Sequence, residues 1–222
     1  MSLRLEAIAA LVQPGTIPAD IGTDHAYVPV MLVKQGICTK VYACDVAKGP
    51  LESAKHTIRK EGLEGYVLPV LSDGFANVPD DADCAIITGM GCTTAVHILE
   101  EGMEHLHRMK QIILSVNNHT DDMRRWIAEH GYTILDEAYV HEAGHGYEIE
   151  VFCTAPHAPY SEEEILLGPC LMQKDLPLYR KKISSLADNM RRHLPFQMEN
   201  TQTLQHKIDV YDAWLQAHAE TI

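Results

Sequence analysis

The chain has no C-x-x-C pair, no close Cys/His quartet and no H-E-x-x-H run. Its six cysteines, Cys38, Cys44, Cys84, Cys92, Cys153 and Cys170, are scattered and lie mostly in apolar runs. That spacing argues against a disulfide framework and a structural zinc site, and leaves reduced cysteines acting as small hydrophobes. The thirteen histidines show no metal-ligand spacing either, so no metal is expected. No apolar stretch approaches the ~18 residues of a membrane helix, and the first residues lack a signal-peptide layout. The expected address is cytoplasmic, with no membrane partner. Basic residues are also scarce, 18 Lys and Arg against 31 Asp and Glu, for a net charge of −13. Residues 1–158 hold 11 basic and 22 acidic groups, and residues 159–222 hold 7 and 9. A field of this sign repels polyanions, so a nucleic-acid partner requires a local basic patch.

What is present is a folded composition, 46% hydrophobic and 22% charged over 222 residues. Up to residue 155, short apolar runs alternate with amphipathic stretches. The patterns predict a helix over Leu3–Val12 and strands over 16–21, 40–46, 66–71, 84–88 and 111–116. Helices are predicted over 25–34, 51–61, 93–106 and 120–130, most of them closed by a glycine. Two last strands, 133–140 and 147–154, join through a turn around Gly144 and Gly146. Five β-then-α units and a hairpin imply an α/β fold, a doubly wound, mostly parallel sheet with an antiparallel final strand.

Beyond the Pro-rich joint at 155–159 the pattern contains no strand. Leu176, Tyr179, Ile183, Leu186 and Met190 recur at helical spacing, as do Leu204, Ile208, Tyr211, Leu215 and His218, with Pro195 between the two sets. This predicts an antiparallel, coiled-coil-like helical hairpin over 159–222, after a domain spanning 1–158. Each stripe could pack on its neighbour, on the α/β domain or on a second subunit.

In an open parallel sheet, ligands bind beyond the carboxyl ends of the strands, where strand order reverses. The first strand ends in Asp20-Ile21-Gly22-Thr23-Asp24-His25-Ala26-Tyr27. Gly22 allows a backbone to approach a ligand, and a following helix aims its N-terminus there. Asp24 and Tyr27 stand where the later glycines of G-x-G-x-x-G would be, which disfavours a diphosphate cofactor and suits one carrying an ammonium and a sulfonium. Asp24 could equally be the N-cap of that helix. Asp45 closes the second strand, where a carboxylate can accept from both hydroxyls of a ribose. Asp73-Gly74 closes the third, in reach of an adenine edge. Gly89-Met90-Gly91 closes the fourth and opens the backbone beside a reacting centre.

This layout resembles that of the class I S-adenosylmethionine-dependent methyltransferases, which have a Rossmann-like sheet. D-I-G-T-D-H-A-Y, C-D-V-A-K-G-P-L, S-D-G and I-T-G-M-G resemble the bacterial tRNA (adenine(22)-N1)-methyltransferase family. Arg124-Arg125-Trp126, His130-Gly131-Tyr132, Tyr147-Glu148-Ile149 and Leu167-Gly168-Pro169 resemble further segments of it. The resemblance implies methyl transfer from S-adenosyl-L-methionine to ring nitrogen 1 of adenine 22 in the tRNA D-arm region. By position, Asp20, Gly22, Thr23, Asp24 and His25 would surround the methionine part of the cofactor. Asp45 would hold the ribose, Asp73 and Gly74 the adenine, and Gly89, Met90 and Gly91 would line the transfer site. Asp24 is the candidate to stabilise the cationic product, with Asn117 or Asn118 on the base edge.

Two positions depart from the family pattern. Cys92 replaces a glycine, and Ser115-Val116-Asn117-Asn118 stands where a Gln-Pro-Asn segment is usual. For tRNA, Lys174, Arg180, Lys181, Lys182, Arg191 and Arg192 make a local basic patch expected on the first tail helix, and Arg124 and Arg125 a smaller one. The chain is expected to be a monomer or a weak homodimer through its tail. Two other readings fit the same pattern, a methyltransferase for a small molecule or protein and a cofactor-binding protein without turnover.

Overall fold

Apolar runs of four or five residues bounded by turns make strands buried on both faces. Five short strands and a longer antiparallel hairpin form a seven-stranded sheet in the computed structural model, which describes residues 2–174, 176–194 and 201–218. Strands β1 (Pro18–Ile21), β2 (Val41–Asp45), β3 (Val67–Leu71), β4 (Cys84–Thr88), β5 (Gln111–Ser115), β6 (Tyr132–Glu142) and β7 (His145–Pro156) lie in the order β3-β2-β1-β4-β5-β7-β6. Neighbours are parallel except at β7, which runs antiparallel to both β5 and β6. Every residue of β1, β2 and β5 is buried. The doubly wound sheet with an antiparallel strand inserted near its end is therefore present.

Helix α1 (Leu3–Leu11) precedes β1, and among the described residues five helices lie between strands: α2 (Tyr27–Lys34), α3 (Lys48–Lys60), α4 (Cys92–Glu101), α5 (Met103–Leu106) and α6 (Thr120–Glu129). Ile8, Ala9 and Val12 join Val28, Met31 and Leu32 over Ile86, Ile113, Ile149 and Val151, forming the core on one face of the sheet.

Four features of the sheet and its connections differ from the sequence pattern. Residues 72–83 form turns rather than a helix, so the third unit is a strand and a loop. The helix expected over 93–106 breaks at Gly102, against which the Phe75 ring packs so closely that a Cβ there would lie 2.1 Å from Phe75 Cδ2. Helix α2 starts at Tyr27, with Ala26 at its N-cap in a left-handed conformation and no side-chain cap, so Asp24 does not cap it. The hairpin strands are longer than expected. Glu142 faces His145 across the two-residue turn Ala143-Gly144, whose φ values of 51° and 83° suit the right-handed twist of the strands.

Contacts divide the chain into two compact units, Met1–Pro159 and Tyr160–Ile222. The second opens with α7 (Glu162–Leu167), started by a capping box between Ser161 and Glu164, and continues through α8 (Pro177–His193) and α9 (Thr201–Ala217). Tyr179, Ile183 and Ala187 of α8 are buried, as are Ile208, Tyr211 and Trp214 of α9. Arg180 Nη1 near the start of α8 donates to the His218 carbonyl beyond the end of α9 (3.1 Å), and Arg191 near the end of α8 pairs with Asp212, so the helices are antiparallel. Tyr179 Oη donates to the Leu167 carbonyl (2.6 Å), tying α8 to α7. The short α7, with no counterpart in the sequence reading, completes this unit. Pro195 lies outside the described residues.

Candidate active site

Strand β1 lies between β2 and β4, at the point where strand order reverses, and the carboxyl ends of β1 to β5 share one edge. Backbone bonds lace the turns there together. Gly22 N and Thr23 N both donate to the Cys44 carbonyl, at 3.0 and 2.9 Å. Asp45 links three turns. Its Oδ2 accepts from Asp24 N (3.2 Å), its Oδ1 from Ala47 N (2.9 Å), and its carbonyl from Ser72 N (2.9 Å). Ser72, buried and not anticipated from sequence, accepts from Asn77 N and donates to the Gly74 carbonyl, each at 2.9 Å, which shapes the turn carrying Asp73 and Gly74. Asp73, Gly74, Phe75, His97, Ile98 and Glu101 line a cavity of about 380 Å³.

The turns after β1 and β4 meet over the floor of this edge. Gly22 has φ +80°, a conformation that favours glycine, and a Cβ there would lie 3.0 Å from Met90 Cε, the flexible end of that side chain. The Gly89-Met90-Gly91 turn is clamped by the β5 end. Gly89 N donates to the Ser115 carbonyl (3.1 Å), Asn117 N to the Met90 carbonyl (2.9 Å), and Asn117 Nδ2 to the Gly89 carbonyl (2.8 Å). Asn118 Oδ1 accepts from Cys92 N (3.1 Å), the first residue of α4. Both asparagines thus hold the β4 turn in place. Burial raises the pKa of the Cys92 thiol, which keeps it neutral and apolar beside that turn.

The edge is acidic. Asp20 is buried, accepts from Thr23 Oγ1 at 2.6 Å, and has its carboxyl pushed up to about 7, by burial first and by Asp45 in addition. Among the described residues, none of Asp20, Asp24, Asp45 and Asp73 pairs with Lys or Arg; Asp24 faces only His25 Nε2, at 3.6 Å. A carboxylate set without counter-ions suits a cationic ligand. The edge is also strained. Of four described non-glycine residues with positive φ, three (Asp24, Ala26 and His119) sit beside it. Such conformations cost about 1–3 kcal/mol each and cluster where function holds them.

Arg124 corrects an expectation. It is 1% exposed and ion-paired with Glu137, Glu148 and Glu150, so it cannot contact RNA. Arg125 lines a groove with Cys92, His119 and Trp126. In the second unit, Lys174 precedes α8 instead of lying on it, while Arg180, Lys181, Lys182, Arg191 and Arg192 are on the helix. Arg191 already pairs with Asp188 (2.7 Å) and with Asp212, and Lys182 Nζ sits 5.6 Å from the Tyr179 ring centre. Arg4, also unanticipated, donates to the Ser115 carbonyl (3.0 Å) and stacks 4.4 Å over Tyr147. Its partners are more than a hundred residues away in sequence, which no local pattern reveals.

The methyltransferase domain family matches residues 1–149. The tRNA (adenine(22)-N(1))-methyltransferase of Bacillus subtilis (strain 168) is 30% identical over 98% of this chain and 87% of its own length. The chain belongs to the tRNA (adenine(22)-N1)-methyltransferase family. Solved structures of similar proteins superpose over the same length. Streptococcus pneumoniae Sp1610 in complex with S-adenosyl-L-methionine has TM-score 0.88 and 34% identity over 97% of this chain and 99% of that one. M. capricolum TrmK with S-adenosyl-homocysteine has TM-score 0.85 and 27% identity over 97% and 98%. In this methyltransferase the acidic strand ends and the Gly-Met-Gly turn share one edge of the sheet. No helix among the described residues is long and apolar enough to cross a membrane, and the described residues hold no cluster that could ligate a metal.

Proposed function

We propose that this protein transfers a methyl group from S-adenosyl-L-methionine to ring nitrogen 1 of adenine 22 of tRNA. The observation that carries the reading is the laced edge in which Gly22, Asp45 and the Gly89–Gly91 turn converge without a basic counter-ion. The residues fit the donor. Asp20 and Asp24 supply negative charge for an ammonium and a sulfonium. Asp45, held rigid by two amides, keeps lone pairs for a ribose. The Asp73-Gly74 turn offers polar groups to an adenine. The donor supplies an electrophilic methyl group.

The protein's own work is modest. Ring nitrogen 1 already carries a lone pair, so no base must first remove a proton. The chain must take the base out of its stack, strip water from the nitrogen and align it over the β4 turn. Gly89, Met90 and Gly91 form the floor, Asn117 and Asn118 hold that floor, and Asn117 borders the base. Asp24 lies at the mouth, where its carboxylate stabilises the cationic product once bound RNA excludes water. The basic side of α8, chiefly Lys181 and Arg192 with Arg180, Lys182 and Arg191, holds the tRNA backbone together with Lys174 just before the helix, and Arg125 adds a contact on the catalytic unit. The protein acts in the cytoplasm as a monomer or weak homodimer.

The test is incubation of the protein with labelled S-adenosyl-L-methionine and an unmodified tRNA transcript, followed by nucleoside mass analysis. Labelled 1-methyladenosine is the expected product. Donor binding by calorimetry without transfer to RNA would redirect the search to small-molecule or protein acceptors.

A further inference from the structure

Arg124 of the Arg124-Arg125-Trp126 segment and Glu148 of the Tyr147-Glu148-Ile149 segment have no part in the proposed function above. The structure joins them. Glu148 is 2% exposed on β7, and its carboxylate is divided between two residues of α6. Oε1 accepts from Thr120 Oγ1 at 2.9 Å, at the first residue of the helix, and Oε2 accepts from Arg124 Nη2 one turn later. The Glu148 carbonyl accepts from Ser115 Oγ at 2.9 Å, at the end of β5. One residue therefore grips both ends of the segment 115–120. Inside that segment lie Asn117 and Asn118, which clamp the Gly89–Cys92 turn, and His119, which is held in a left-handed conformation with φ 54°. A strained residue persists only where its flanks are fixed. His119 is flanked by Asn118, bonded to Cys92 N, and by Thr120, bonded to Glu148.

We propose that Glu148 is a positioning residue for methyl transfer: through Thr120 and Arg124 it fixes the strained Asn117–His119 loop and thereby the Gly89–Gly91 floor under the acceptor base. It acts through other residues and touches neither donor nor base. The surrounding groups show why the carboxylate is tightly held. Arg124 is shared with the equally buried Glu137 (2.6 Å to Oε1) and Glu150 (3.7 Å to Oε1), so the cation is the hub and Glu148 is the arm that reaches the loop. Asp45 and Asp73, assigned to the ribose and the adenine, lie at the ends of β2 and β3, on the far side of β1 from the strands β4, β5 and β7 that this arm joins. Loss of the arm should therefore slow transfer while leaving donor affinity intact. The inference rests on the reading that the β4 turn faces the acceptor.

Removing Glu148 outright leaves Arg124 with one fewer partner in the core and can unfold the protein. The primary variant is therefore Thr120→Val, which deletes only the hydroxyl arm at nearly constant volume, with Thr120→Ser as the conservative rescue. Three quantities are read on the full chain: kcat and KM for an unmodified tRNA transcript, the dissociation constant for S-adenosyl-L-methionine, and amide hydrogen exchange at Cys92 and Asn117. The expected result for Thr120→Val is a kcat lowered about tenfold, donor affinity within twofold of the parent, and exchange at both amides faster by about tenfold. Thr120→Ser should recover most of the rate. A kcat within twofold of the parent would overturn the proposal, whatever the exchange shows. So would a rate loss matched by an equal loss of donor affinity, since the arm would then be structural for the whole cleft. An inactive parent protein with normal donor binding would instead refute the tRNA reading, and this proposal with it.

Discussion

Asp45→Ala is the substitution whose consequences the structure defines most fully. Asp45 is 8% exposed, and its carboxylate accepts from the amides of Asp24 and Ala47. In the proposed complex it also accepts from the two hydroxyls of the donor's ribose. Hydrogen bonds to a charged acceptor are worth about 1.5–3 kcal/mol each, so losing both hydroxyl contacts removes about 3–6 kcal/mol of binding. At 1.4 kcal/mol per factor of ten, Kd for S-adenosyl-L-methionine rises roughly 10²- to 10⁴-fold. The free protein suffers as well. The Asp24 amide loses its anchor in a turn where Asp24 and Ala26 both have positive φ, so the melting temperature should fall by several degrees. Calorimetric titration of parent, Asp45→Asn and Asp45→Ala proteins checks this. Asn keeps one oxygen acceptor and should lose about tenfold, with Ala well beyond it. A folded Asp45→Ala protein that binds the donor within threefold of the parent would refute the assignment of this strand end to the ribose.

The buried Asp20 carboxyl, with its pKa pushed up to about 7, makes a prediction about pH. The folded state holds a proton that the unfolded chain releases near the ordinary carboxylate value, so this contribution to stability is complete below that value and is lost as pH rises from about 4 to about 7. Glu150, also raised to about 7, adds the same sign; melting temperatures of Asp20→Asn and Glu150→Gln across this window should each flatten the decline. Donor affinity should rise over the same interval in the parent, as Asp20 ionises opposite a cation, and stay level in Asp20→Asn. Gly102→Ala places a methyl group against the Phe75 ring and should cost about 1–3 kcal/mol, read as a lower melting temperature that Phe75→Leu partly restores. Lys181→Glu with Lys182→Glu should weaken tRNA binding and lower its salt dependence while leaving donor affinity unchanged; equal tRNA affinity would end the idea that α8 grips the backbone.

The sheet was legible because its central strands β1, β2 and β5 are buried throughout and β4 nearly so. Runs such as Cys84-Ala85-Ile86-Ile87 carry no other plausible meaning when each is followed by glycine and an amphipathic stretch. The turns carrying Asp20, Asp45 and Asp73 were legible for the same reason, since the end of a recognisable strand locates its side chain. What stayed hidden depends on distant partners. The break at Gly102 comes from the ring of Phe75, and the left-handed start of α2 from the lacing of residues 22–24 to β2, neither of which leaves a local mark. Arg124 was misread because adjacent arginines look like surface charge. Only the sheet shows that β6 and β7 bring Glu137, Glu148 and Glu150 beneath α6, turning one of the pair inward.

The central claim is that the edge bounded by Gly22, Asp45 and Gly89–Gly91 delivers a methyl group to the Watson–Crick face of one adenine in tRNA. It is tested most directly by reverse transcription of an unmodified transcript after incubation with the protein and S-adenosyl-L-methionine, beside a transcript carrying guanine at position 22. Methylation at ring nitrogen 1 blocks base pairing, so the account predicts a donor-dependent stop next to nucleotide 22 that is absent from the guanine transcript. Full-length products in every lane, from protein that binds the donor, would contradict it.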